Sequence, residues 1–255
     1  MYSPYLYLVV MSLVKIAAVS DVHYPKYADL FLRALSQTNY SGIDLFLLVG
    51  DMVFKSKIAY YKDVLRAIRR YWKGTIVSIF GNEEYEEHED KIIKKFPEVM
   101  WLRDESIVLT VKEMQLCIIG SRGTIERPTS WQIRNIPNVM KIYKEREKNL
   151  EKLIKRAKSQ GLLTVLVTHY APTYVTLQGE RKEIWPFLGS LRMEQVIRTT
   201  KPDLVIHGHA HNSKRNYALI NGVPVYNVSL PATKQISIIN ITAKKLKDLS
   251  PLFKY

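Results

Sequence analysis

The chain has 255 residues, 47% of them hydrophobic, which is enough to bury a sizeable core and rules out global disorder. Its 38 Lys and Arg outweigh 24 Asp and Glu, a formal charge of +14 that favours polyanionic partners without fixing a fold. The single cysteine, Cys117, excludes a scaffold stapled by internal disulfides and points to a reducing, cytoplasmic home.

Residues 5–14 are apolar but too few to span a bilayer, which takes about 20. They also lack the basic front and cleavage site of a signal peptide, so no membrane association is expected and residues 1–13 are expected as a leader. Short β-branched runs then alternate with helical ones, the pattern of an α/β domain. Strand 15–20 ends at Asp21, and a helix spans 28–36. Strand 45–49 runs into Gly50-Asp51, and an amphipathic helix over 58–72 turns Val64, Leu65 and Ile68 inward. Strand 75–80 ends at Gly81-Asn82, and an acid-rich loop, 83–90, leads into a short helix at 91–95. Residues 107–111 and 115–119 read as paired strands. The longest helix is 137–159. Strand 162–168 ends at His169, helix 191–199 follows, and strand 204–207 ends at Gly208. From Asn216 the tail reads as antiparallel strands 217–220, 223–228 and 235–241, with Asn221-Gly222 a hairpin turn. Without repeat, low-complexity tract or linker, one domain over 1–255 is the expectation.

Five of these strands end in a turn carrying a potential metal ligand: Asp21 and His23, Asp51, Asn82, His169, and His209 with His211. Ligand sites in helix-fed sheets lie beyond the carboxyl ends of the strands, so five such tips can converge. The i, i+2 spacing of Asp21/His23 and of His209/His211 puts each pair on one side of an extended segment. Each residue taken singly has a plainer explanation. Asp and Asn at strand ends form turns and caps, and histidines beside apolar runs are commonly hydrogen-bonded core residues. Imidazole and carboxylate without thiolate suit Mn²⁺, Fe²⁺ or Zn²⁺ rather than a soft metal, and Cys117 lies within a strand. His207 reads as packing or as a partner that orients a ligand.

The ordered set Asp21-Val22-His23, Gly50-Asp51, Gly81-Asn82, Thr168-His169 and Gly208-His209-Ala210-His211 resembles the calcineurin-like metallophosphoesterases across residues 15–230. That resemblance implies a two-sheet β-sandwich flanked by helices and a pair of divalent cations, Mn²⁺ first and Fe, Zn or Ni fitting the same donors. Asp21, His23 and His211 would hold one metal, Asn82, His169 and His209 the other, and Asp51 would bridge them. A hydroxide between the cations would attack a phosphate mono- or diester in line with the leaving group. Asn82, Glu83 and His169 stand as the candidate catalytic residues.

The chain departs from the family behind Gly81-Asn82. There the family most often has a histidine, which protonates the leaving oxygen, and then an acid that orients it. This sequence has Glu83 and Glu84. A carboxylate is a poor proton donor and repels an incoming phosphate, so esters with acidic leaving groups should react best. His88 is a weaker candidate for the missing imidazole. Arg122 and Arg127 are candidate phosphate contacts, and the segment 170–189, with Tyr174, Arg181, Lys182 and Trp185, is a candidate substrate loop. The basic helix 137–159 reads first as a solvated, ion-pair-laced face and second as a nucleic-acid stripe. The expected function is therefore a two-metal phosphoesterase. The alternatives are a nuclease or nucleotide phosphodiesterase, and a weakly active metal-bound interaction scaffold.

Overall fold

Alternating side chains along β1 (Tyr7–Val19) and β2 (Leu45–Val49) feed two different cores. Ala17, Val19, Phe46 and Leu48 join one apolar layer, while Val14, Ile16, Ala18, Leu45, Leu47 and Val49 join another. Strands buried on both faces read as unbroken apolar runs, which is why they stand out in the sequence. The computed structural model describes residues 7–248, with side chains over 13–242.

Strands β3 (Ile76–Ile79) and β4 (Met100–Leu102) complete the first sheet, and β5 (Glu105–Val111), β6 (Met114–Ser121), β7 (Leu163–Thr168), β8 (Leu204–His207), β9 (Tyr217–Ile220) and β10 (Val223–Asn227) make the second. β11 (Ser237–Asp248) returns to the first sheet. The orders are β11-β1-β2-β3-β4 and β5-β6-β7-β8-β10-β9. Both sheets are mixed: the first is parallel except for the antiparallel β1–β11 pair at one edge, and the second is parallel in the middle with antiparallel pairs, β5–β6 and β10–β9, at both edges. Helices α1 (Ala28–Ser36), α2 (Tyr61–Arg69) and α3 (Glu86–Lys95) accompany the first sheet. The second is accompanied by α4 (Ser130–Asn135), α5 (Val139–Ser159) and α6 (Leu191–Thr200), with the single turn α7 (Leu230–Thr233) before β11. Residues of α1, α2 and α3 cover the outer face of the first sheet, those of α5 and α6 cover the second, and a third apolar layer lies between the sheets. The fold is the helix-flanked two-sheet sandwich expected from the resemblance.

Several boundaries differ from expectation. β1 starts at Tyr7 and pairs with β11 from Tyr7↔Asp248 to Ala18↔Ser237, so residues 7–13 are strand rather than leader. Their partner lies more than 220 residues away, beyond any local pattern; residues 1–6 of the expected leader lie outside the described residues. The helix expected over 58–72 is a 3₁₀ turn followed by α2. The acidic stretch expected as loop is largely helix, because Glu86, Glu87 and Glu89 favour the positive end of α3. The three tail strands are not one antiparallel set. β9 and β10 form the hairpin, with Asn221 and Gly222 at φ of 51° and 84°, but β10 runs parallel to β8 and β11 crosses to the other sheet. Among the described residues no helix is long and apolar enough to cross a membrane.

Candidate metal centre

The carboxyl ends of β1, β2 and β3 in one sheet and of β7 and β8 in the other open onto one edge of the sandwich. The turns there are conformationally costly. Asp21, His23, Asp51 and His209 all take positive φ, at 58°, 41°, 54° and 67°. Residues other than glycine rarely adopt that region, and where they do the surrounding structure must hold them. It does: Asp21 donates its amide to Gly50 at 3.0 Å, His23 to Asp51 at 2.9 Å, and Gly208 to His169 at 3.1 Å. Close approach also dictates two glycines. A Cβ on Gly50, at φ 82°, would stand 2.7 Å from the His169 ring, and one on Gly208 would stand 2.8 Å from the Asp21 carboxylate.

These turns bring the seven residues together. Asp21 Oδ1 lies 2.9 Å from His211 Nε2 and 3.8 Å from His23 Nε2, while Oδ2 accepts the His209 amide at 2.8 Å. Asp51 Oδ2 stands between His23 Nε2 at 3.8 Å and His169 Nε2 at 3.3 Å. Asn82 Oδ1 is 3.1 Å from His169 Nε2. Ligand atoms of Asp21, Asp51, His169 and His209 lie within 4.8 Å of one another, as do those of Asp21, His23 and His211. Asp21 therefore belongs to both clusters, while Asp51 reaches a histidine of each.

The donor set fits divalent cations. His169 Nδ1 lies 3.0 Å from the Val49 carbonyl, which can only accept, so that nitrogen carries the hydrogen and Nε2 faces inward. Nε2 then meets Asn82 Oδ1 and Asp51 Oδ2, an assembly of acceptors that a cation or a proton must reconcile. In the metal-free protein, burial disfavours charge on His169, yet the adjoining Asp51 carboxylate prevails and lifts its pKa to about 9. Burial would likewise raise Asp21 and Asp51, but the imidazoles, chiefly His211 and His169 respectively, hold both below the usual carboxylate range. Burial drops His209 to about 3, leaving a neutral ring. Both nitrogens of His23 and Nδ1 of His209 are buried without a hydrogen-bond partner among the described residues. Buried polar atoms are ordinarily paired, and a neutral imidazole carries one lone pair beside its N–H, so each of these two rings can offer one unpaired nitrogen to a ligand. His207, by contrast, is fully engaged at 2.8 Å with both Thr176 and the Gly208 carbonyl.

The remaining candidates fall in different places. Glu83 accepts the Lys55 amide at 2.7 Å and donates its own amide to Asp51 Oδ1 at 2.7 Å. Its carboxylate is thus tied to the 53–57 turn. His88 is turned to Ser56 Oγ at 2.9 Å. Glu84 does not orient its neighbour. It is fully buried and accepts the amides of Asp51, Met52, Val53 and Gly81 and the Tyr61 hydroxyl. Sequence reasoning missed that role, although the acid following the variant position was its signal. Arg122 is held by Glu86, Glu89 and the Glu84 carbonyl, while Arg127 is exposed.

A cavity of about 900 Å³ adjoins Asn82 and His209. Of the segment expected as substrate loop, it touches Tyr170 and Phe187 but not Tyr174, Arg181, Lys182 or Trp185; its main wall is the 125–143 segment. Tyr174 and Trp185 instead pack edge to face. The basic helix α5 is laced with ion pairs, Lys155–Glu151 at 2.6 Å and Lys158–Asp203 at 2.8 Å among them.

Oxygen and imidazole donors gathered where two sheets meet, with no thiolate among them, make this a candidate divalent-metal site on an α/β sandwich. The chain belongs to the calcineurin-like phosphoesterase family, whose profile matches residues 14–213. Among curated protein sequences none matches it. Of solved structures, the phosphopantetheinyl hydrolase of Mycobacterium tuberculosis has a TM-score of 0.61 at 15% identity, over 86% of this chain and 89% of that one. The anchor of the inner membrane complex of Plasmodium has 0.58 at 11%, over 92% and 84%. A dimetal phosphatase from Danio rerio has 0.57 at 10%, over 92% and 96%. At these identities the likeness is one of fold.

Proposed function

We propose that the protein hydrolyses phosphate mono- or diesters at a two-metal centre formed by Asp21, His23, Asp51, Asn82, His169, His209 and His211, with Mn²⁺ the favoured ion and Fe, Zn or Ni suited to the same donors. The observation that carries this reading is the convergence of unpartnered imidazole nitrogens on two buried carboxylates. Two divalent cations supply an acidified water for attack on phosphorus and neutralise the phosphoryl oxygens. The chain's part is positioning. Val49 fixes the His169 tautomer, the Glu83 amide steadies Asp51, and the backbone bonds between turns hold the carboxylates close despite their repulsion.

Glu83 stands where the family usually has its histidine, and its carboxylate is occupied by the Lys55 amide. No imidazole at that position protonates the leaving oxygen, so aryl esters and diesters with acidic leaving groups are the better substrates. The test is an activity matrix of metals against alkyl and aryl esters. Turnover of an aryl phosphodiester with Mn²⁺, abolished by Asp51→Asn, supports the reading; equal rates for alkyl and aryl monoesters defeat the leaving-group argument.

The Glu83 departure also favours a second reading, a metal-bound interaction scaffold in the reducing cytoplasm. Two metals seen by calorimetry with no turnover of any ester would decide for it. Nucleic acid is the weaker partner despite the net charge, because Glu86 and Glu87 line the cavity. A DNA or RNA affinity falling steeply with salt would reverse that judgement.

A further inference from the structure

We infer that the cavity beside Asn82 and His209 receives the apolar arm of an amphiphilic phosphoester, an alkyl or acyl chain rather than a nucleoside or sugar; this inference rests on the phosphoesterase reading above. The cavity has a floor of its own. Ile125, Val139, Tyr143 and Tyr170 are nearly fully buried and form a separate apolar cluster, with Ile136 packed against it. Tyr170 joins that floor to the metal centre, its ring edge-on to His209 at 5.0 Å between centroids. An ester whose phosphorus sits at the centre therefore has its organic group directed over an apolar surface.

The wall continues outward. Trp131 and Ile142 both line the cavity, yet they are 60% and 37% exposed. Large apolar side chains at the mouth of a pocket mark a surface that a ligand covers. About 900 Å³ lies at the upper end of ordinary ligand pockets and greatly exceeds the needs of a phosphoryl group.

Most of the polar groups around this space are engaged with the protein itself; among the exceptions are the exposed Glu87 and the Nε of Arg122, which is buried without a hydrogen-bond partner among the described residues. Thr129 and Gln132 complete a capping box at the start of α4, and Gln132 also reaches the Tyr170 hydroxyl. Asn135 donates to the Trp131 carbonyl, Arg122 is paired with Glu86 and Glu89, and Arg146 with Asp104. A base edge or a set of sugar hydroxyls needs free donors and acceptors for its recognition, and burying them unpaired is costly. A hydrocarbon chain has no such need.

The experiment keeps the leaving group constant. In p-nitrophenyl methyl, butyl and octyl phosphodiesters, water adds to phosphorus, the phosphorus–oxygen bond to the aryl group breaks, and p-nitrophenolate leaves an alkyl phosphate. With Mn²⁺, kcat/KM should rise about 30-fold from methyl to octyl, less than full burial of every methylene allows because the cavity is open. The octyl ester should also outpace p-nitrophenyl thymidylate, and Ile142→Glu, at an exposed position of α5, should flatten the series. A flat series, or a thymidylate ester that reacts faster than the octyl ester, overturns the inference while leaving the phosphoesterase reading intact. The second readout is calorimetric binding of octylphosphonate against methylphosphonate to the metal-free protein. Should no ester turn over, tighter binding of the octyl compound, lost in Ile142→Glu, upholds the cavity and defeats the enzyme reading; equal binding overturns the inference.

Discussion

The Glu84 carboxylate accepts the amide of Asp51 at 2.7 Å, and its same oxygen accepts that of Gly81 at 2.8 Å, so one buried side chain ties the turn after β2 to the turn after β3. Its other oxygen takes the Met52 amide at 2.7 Å and the Tyr61 hydroxyl at 2.8 Å. Burial lifts its pKa to about 7 despite these donors. The residue touches no candidate ligand atom directly; it sets where the Asp51 and Asn82 turns lie.

Glu84→Gln replaces one acceptor oxygen by a donor that faces other donors. The variant should lose about 1–3 kcal/mol of stability, the cost of leaving a buried polar group unsatisfied. Denaturant midpoints with an unchanged slope measure this, and metal stoichiometry should fall with it. A variant as stable as the parent, binding the same number of metals, would show that the ring of amides does not depend on the charge.

Glu83→His restores an imidazole at the family's usual place. Turnover of alkyl monoesters relative to aryl ones should then rise about tenfold, at the low end for a general acid because its position is not refined. An unchanged ratio would mean that the proton arrives from elsewhere. The Lys55 amide loses its partner in this variant, so a modest drop in melting temperature should accompany the gain.

Cys117 lies inside β6, 3% exposed, and burial pushes its thiol pKa up. Thiolate is the reactive form, so the folded protein should resist a thiol reagent that reacts at once in denaturant. Rapid labelling of native protein would contradict the burial of this strand.

Burial raises the Tyr40 hydroxyl from 10.0 to about 12, and it donates to the Leu35 carbonyl at 2.9 Å. A folded pKa above the unfolded one means that the proton is held more tightly in the native state. The resulting stability is whole below pH 10 and is lost as pH rises through 12. Tyr40→Phe should therefore show a shallower fall of stability with pH over that range, whatever its stability at neutral pH. Parallel curves for the two proteins would refute the assignment.

The sequence made the strand tips legible for a physical reason. Asp21, Asp51, Asn82, His169 and His209 each follow an apolar run buried on both faces, and such runs stand out from amphipathic helices. The support for those tips was not legible. Glu84 is buried only because amides from two separate turns converge on it, a fact of tertiary structure alone. The course of β11 back to β1 was hidden for the same reason, since its partner lies at the other end of the chain. Nor did the sequence reveal which segment walls the cavity. Trp131 and Ile142 sit in short or strongly charged helices, whose pattern suggests solvent, whereas Tyr174 and Trp185 looked like a binding loop and instead pack on one another.

The candidate ligands are shared between the two sheets, four from one and three from the other. Asp21, His23, Asp51 and Asn82 hang from the first sheet, and His169, His209 and His211 from the second. Neither sheet can thus assemble the candidate centre by itself, and divalent ions bound across the seam would act as a rivet, favouring only the state in which both sheets have met. Affinity for such ions becomes a gauge of complete folding, and a destabilised variant far from the seam, in α1 or α6 for example, should regain melting temperature as the ion concentration rises.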